Sequence, residues 1–176
     1  MLKRFSAASV AATLLLSGCG AWQTVSDTSV DAYNAVFHKR VKVLDVDLTA
    51  RAGLNQDAAG RSTSVAVRIY QLKDRKLFDS AAYGDLIRDD KTMLAQDLQA
   101  SLGVVVNPAA SASLSQPLEK ETAYIAIAAF YRDPPANGSW KQVVEAKKLS
   151  ADAPLKLELS DRQVTELTDT KASGKK

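Results

Sequence analysis

Cys19 and His38 carry the only thiol and the only imidazole in the sequence, so nucleophilic and metal chemistry have little to draw on. A Cys-His pair would need both in one site, and a typical zinc site needs more sulfur and nitrogen ligands than these two supply. His38 lies in a stretch that reads as a linker, and is taken as a tether residue. A Ser-His-Asp arrangement through it would lack a Gly-x-Ser-x-Gly elbow to present the serine. The paired carboxylates Asp89-Asp90 are adjacent, and neighbouring acids of this kind usually mark a solvated turn. No catalytic centre, metal or cofactor is expected beyond what the thiol of Cys19 can bond covalently.

The residues ahead of Cys19 say what that bond is. Lys3 and Arg4 form a short positive head, Phe5 to Leu16 an apolar run broken by Ser6, Ser9 and Thr13, and Ser17-Gly18 a small-residue close. The run is shorter than the roughly 20 residues a spanning helix needs, and the three-part order is that of an export signal. Leu16-Ser17-Gly18-Cys19 resembles the bacterial lipobox, which implies removal of residues 1–18 and acylation of Cys19 at a new N-terminus. Each buried methylene contributes about 0.8 kcal/mol, so two or three acyl chains on one cysteine make dissociation negligible. Gly20 stands where an aspartate commonly retains such proteins in the inner membrane. The expected location is therefore the outer membrane, lipid-anchored and facing the periplasm.

The expected mature chain is one domain's worth of residues. Its charge is nearly balanced: removing Lys3 and Arg4 from 23 basic residues leaves 21 against 20 acidic ones. A basic footprint for nucleic acid is absent. With a single cysteine, no disulfide staples the fold.

The elements read as follows. Residues 19–40 are a lipidated N-terminus and tether. From Val41 the period becomes two: Leu44, Val46, Leu48 and Ala50 alternate with Asp45, Asp47, Thr49 and Arg51, a strand with one wet face. A second strand spans Val65 to Leu72. The segment between, Gly53 to Thr63, is long for a hairpin loop, and loops of that length are often functional. Residues 75–100 switch to broken helical turns, interrupted near Gly84 and Asp89-Asp90. Strand character returns at Leu102–Val106. Residues 109–118, rich in Ala and Ser, carry no clear element. Tyr124–Tyr131 is apolar on both faces and reads as a central strand, and Trp140–Val144 and Leu155–Leu159 as two more. Six to eight mostly antiparallel strands argue a mainly β, two-sheet sandwich over residues 41–160, with a small helical insertion. Residues 161–176 read as a flexible tail.

Leu54-Asn55-Gln56-Asp57-Ala58-Ala59-Gly60-Arg61, Val67-Arg68-Ile69-Tyr70-Gln71-Leu72-Lys73-Asp74, Asp97-Leu98 and Ala126-Ile127-Ala128-Ala129-Phe130-Tyr131-Arg132-Asp133 resemble the SciN/TssJ (VasD) lipoproteins of type VI secretion systems. Trp140 followed by Val143-Val144 fits as well. The resemblance runs from about Val43 to Val144, and departs from the family pattern at Ala82-Tyr83-Gly84-Asp85, where an aromatic pair is common. It implies a transthyretin-like β-sandwich that holds the secretion system's membrane complex at the outer membrane by binding the periplasmic domain of the inner-membrane component TssM. It also implicates the first loop, here Asn55, Gln56, Asp57, Ala58, Ala59, Gly60 and Arg61, in that contact. In physical terms Gly60 permits a positive φ, Asn55 and Asp57 can cap their own turns, and Arg61 could fork onto a partner carboxylate.

A second reading is a periplasmic module for a small ligand or cell-wall glycan, with Tyr83, Tyr124, Tyr131 and Trp140 as stacking faces. An aromatic content of 6% is low for that role. No small-molecule substrate is expected.

Overall fold

The computed structural model describes residues 41–168. The signal segment, Cys19, the 20–40 tether, His38 and residues 169–176 lie outside the described residues. Eight strands form two four-stranded sheets. Strands β1 (Val43–Ala50), β4 (Ser111–Pro117), β7 (Leu155–Ser160) and β8 (Gln163–Glu166) make the first, in the order β4-β1-β7-β8. Strands β2 (Val65–Leu72), β3 (Leu98–Val106), β5 (Tyr124–Phe130) and β6 (Lys141–Glu145) make the second, in the order β3-β2-β5-β6. All neighbours are antiparallel except β1 and β7, which run parallel.

Alternation explains the first sheet. Leu44, Val46, Leu48 and Ala50 of β1 are buried, as are Leu155, Leu157 and Leu159 of β7, and these side chains make one wall of the core. Asp45 and Thr49 stay outside. The second sheet is covered on both faces, which is why β5 could be apolar throughout: Ile125 to Ala129 are all buried. Its outer cover is the helical addition, α1 (Lys76–Ser80) and α2 (Tyr83–Leu94), which buries Phe78, Leu86 and Leu94. Phe78 lies 5.8 Å from the Tyr70 ring and Tyr83 lies 5.8 Å from the Phe130 ring, so the helices seat on aromatic side chains of the sheet.

The run Arg68-Ile69-Tyr70-Gln71 places polar groups on both faces of a central strand, and each is satisfied. Arg68 donates to the Leu86 carbonyl at 2.9 Å and pairs with Asp90 at 3.0 Å, and the Tyr70 hydroxyl donates to Asp90 at 2.9 Å. Gln71, fully buried, donates to the Pro117 carbonyl and accepts from the Glu119 amide and the Thr122 hydroxyl. That side chain ties the second sheet to the turn after β4, with partners on both ends of its own amide.

Three expectations change. Asp89-Asp90 is not a solvated pair: Asp89 breaks the helix with non-helical backbone and caps Thr92, while Asp90 turns inward to Arg68 and Tyr70. The break expected near Gly84 is present at Ala81-Ala82, between α1 and α2, and Gly84 itself sits in the first turn of α2. Residues 109–118 contain a full strand, β4, because pairing with β1 over Val43 to Thr49 stabilises a sequence whose small side chains carry little period. The ordered domain passes residue 160, since β8 pairs with β7 and buries Val164.

Candidate functional site

β1 and β2 belong to different sheets, so the segment between them crosses from one sheet to the other and has no hairpin to close. It is nevertheless tightly framed. Leu54 is fully buried and Asn55 is 4% exposed. Asn55 adopts φ 47°, a left-handed conformation asparagine tolerates better than most residues. Its amide nitrogen donates to Thr63 Oγ1 and to the Ser64 carbonyl, each at 2.9 Å, and its Oδ1 accepts the Arg132 amide at 2.8 Å. Its own backbone N–H donates to the Asp161 carbonyl at 2.7 Å.

The tip folds around Asp57. Oδ1 accepts the amides of Ala59 and Arg61, both at 2.9 Å, and Oδ2 accepts Arg61 Nε at 2.8 Å. The Gly60 amide donates back to the Asp57 carbonyl, and Gly60 takes φ +76°, the conformation that makes glycine the fitting residue there. The Arg61 amide and then its guanidinium hold the Asp57 carboxyl below its ordinary value of 3.8. A lowered carboxylate steadies the folded loop above the ordinary aspartate range, and that contribution fades as pH falls through the lowered value.

The seven expected site residues therefore divide in two. Asn55 and Asp57 are framing groups whose polar atoms face their own chain. Gln56, Ala58, Ala59, Gly60 and Arg61 are exposed, with the Arg61 side chain 80% accessible although one edge already meets Asp57.

Other loops converge on the same end of the sandwich. The Ala109 amide donates to the Arg51 carbonyl, the Ser64 hydroxyl to Asn107 at 2.6 Å, and Arg162 pairs with Asp133 at 2.5 Å. Sequence reading had missed Asn107–Ala110, Arg132-Asp133 and Asp161-Arg162 as neighbours of the first loop. Their turn-forming residue types were visible, but the contacts that gather them are not local. All four loops sit at one pole. β1 enters from Val43 at the opposite pole, and β8, antiparallel to β7, also leaves there. At about 3.3 Å per residue, β1 alone separates the poles by roughly 25 Å.

The four rings considered as stacking faces do not gather. Tyr83 and Trp140 meet edge to face at 4.9 Å and line a hollow of about 400 Å³ with Ala81, Pro134, Pro135 and Lys141. Trp140 is 6% exposed and Tyr131 2%, and Tyr124 lies elsewhere, 6.0 Å from the Arg75 guanidinium. Burial pushes the Tyr83 hydroxyl up to about 12.

The family profile described as type VI secretion lipoprotein, VasD, EvfM, TssJ matches residues 42–162. The chain belongs to this family. Comparison with curated proteins found no match. Among solved structures, a chain of a type VI membrane complex is 36% identical over 73% of this chain and 99% of that one, with a TM-score of 0.69. A chain of the structure described as T6SS protein TssM C-terminal domain (869-1107) from EAEC is 33% identical, with coverage of 73% and 99% and a TM-score of 0.65. The lipoprotein TssJ1 from Pseudomonas aeruginosa shares the fold at 23% identity, coverage of 73% and 98%, and a TM-score of 0.60. The expected two-sheet β-sandwich is thus the family's fold. As a member, this chain is a lipoprotein with a structural role in the type VI secretion membrane complex, and the family is not one of enzymes. Among the described residues no helix is long and apolar enough to cross a membrane.

Proposed function

We propose that residues 1–18 are removed, that Cys19 is acylated and seated in the outer membrane, and that the pole carrying Gln56 to Arg61 binds the periplasmic domain of TssM. The chain would thereby hold the membrane complex at the outer membrane. The observation that carries this reading is the polarity of the sandwich. The chain enters the domain at Val43, at the pole opposite the loop, so the entry point leaves the loop pole clear for a partner. The similarity to a chain in the TssM structure supports the choice of partner. The matched chain is nearly covered by 73% of this one and is too short to be the whole of a domain numbered 869-1107, as a companion of that domain would be.

The framing of the loop says which residues a test should alter. Deleting Gly53 to Arg61 would remove Leu54 and Asn55 and damage the core. Charging the exposed tip, with Ala58→Glu and Ala59→Glu together, leaves every framing bond in place. In a calorimetric titration with the TssM periplasmic domain, this variant should bind at least about tenfold more weakly with an unchanged melting temperature. Wild-type affinity in the double variant would remove the loop from the interface.

A further inference from the structure

The two flanks of the sandwich are built differently. On one flank the edge strands are β6 and β8, of five and four residues, carrying Lys141, Glu145 and Glu166. Short, charged edges are how sheets avoid pairing with other chains. On the other flank the edges are β3 and β4, of nine and seven residues. No Asp, Glu, Lys or Arg occurs from Leu98 through Leu118, in a chain with 24% charged residues. Ser101, Gly103 and Val105 of β3 are exposed, Val105 at 64%. No described strand lies beyond β3 in its sheet.

Gly103 adds a separate observation. Glycine inside a strand weakens it and often marks the close approach of another backbone. The fold does not require it. A Cβ there would meet the Val67 carbonyl oxygen at 3.5 Å and Arg68 Cγ at 3.8 Å, both ordinary contacts, and its φ is not in the left-handed range. A long, uncharged edge, regular in register from Ala100 to Val106 and with an unneeded glycine at its middle, has the chemistry of a strand acceptor, whose free N–H and C=O groups recognise extended backbone.

We propose that β3 accepts an extended, uncharged segment of the partner that binds the loop pole, as an added strand along Leu98–Val106. This rests on the TssM reading above and extends it. The edge is continuous with the loop pole: β3 ends at Val106, and the next residue, Asn107, bonds Ser64 at the end of the first loop. A second copy is a poorer occupant. Antiparallel pairing of β3 with its own copy would send the two chain-entry poles in opposite directions, whereas copies anchored in one leaflet share a direction.

The test is hydrogen exchange on the full mature chain in detergent micelles, with and without the TssM periplasmic domain. Exchange across Leu98–Val106 should slow by about tenfold or more on binding, while Lys141–Glu145 stays unchanged. The double variant Ser101→Lys with Val105→Lys should keep the wild-type melting temperature, bind about tenfold more weakly, and lose the slowing. A complex that forms while Leu98–Val106 exchanges as before overturns the inference and leaves the loop reading standing. Absence of any complex overturns both. Slow exchange there before the partner is added would give the edge to a second copy or to the chain's own 20–40 segment, and also overturns the inference.

Discussion

Asn55 shows how a residue chosen for one role can serve another. Its type suggests a turn at the surface, and the turn is real, but the side chain is buried and ties the β1–β2 connection to the β5–β6 connection through Thr63, Ser64 and Arg132. Asn55→Ala would orphan buried polar groups and place alanine at a positive φ. We expect a loss of about 2 to 4 kcal/mol in urea unfolding. Arg61→Ala removes an exposed partner of Asp57 and should change stability by no more than about 0.5 kcal/mol. Similar losses in the two variants would contradict this division of the loop into frame and tip. The sequence could not have made the division. Asn55 and Arg132 are 77 positions apart, and no local pattern reports a bond between them. Asp90 teaches the same lesson, since its partners Arg68 and Tyr70 lie on a strand that precedes it.

Among the elements, strands with strong alternation or continuous apolar runs were legible. β1, β2, β5 and β7 fall where period and composition put them. β4 was not legible, because Ser-Ala-Ser-Leu-Ser carries one large apolar side chain and is held in place by register with β1. β8 was hidden for a similar reason: Gln163–Glu166 is short and mostly polar, and only Val164 reaches the core. A chain ending at Ser160 should therefore be less stable than one ending at Leu167. The shortfall should be at least about 2 kcal/mol, from the lost burial of Val164 and of the β7 surface beneath it. Equal thermal melting of the two chains would return the domain boundary to residue 160. The helical addition was readable as helical but not in detail, since its seat depends on Tyr70 and Phe130 meeting Phe78 and Tyr83.

For the whole molecule, membrane attachment and partner binding are separable if they lie at opposite poles. Cys19→Ser should release the protein from the outer-membrane fraction on density-gradient separation. The variant should keep its melting temperature and its affinity for the TssM periplasmic domain in solution. Retention of the variant in that fraction at wild-type levels would refute the lipid anchor. The sequence by itself determined the export signal reading, the family resemblance, the two-sheet class and the scarcity of catalytic groups, because each rests on residues close together in the chain or on composition. Tertiary structure alone decided which loop residues are framing and which are exposed, which loops share a pole, and which flank has no further strand beside it among the described residues. Those properties come from contacts between residues distant in sequence, such as β1 with β7 and Asn55 with Arg132, and burial is settled only once the two sheets have closed on each other.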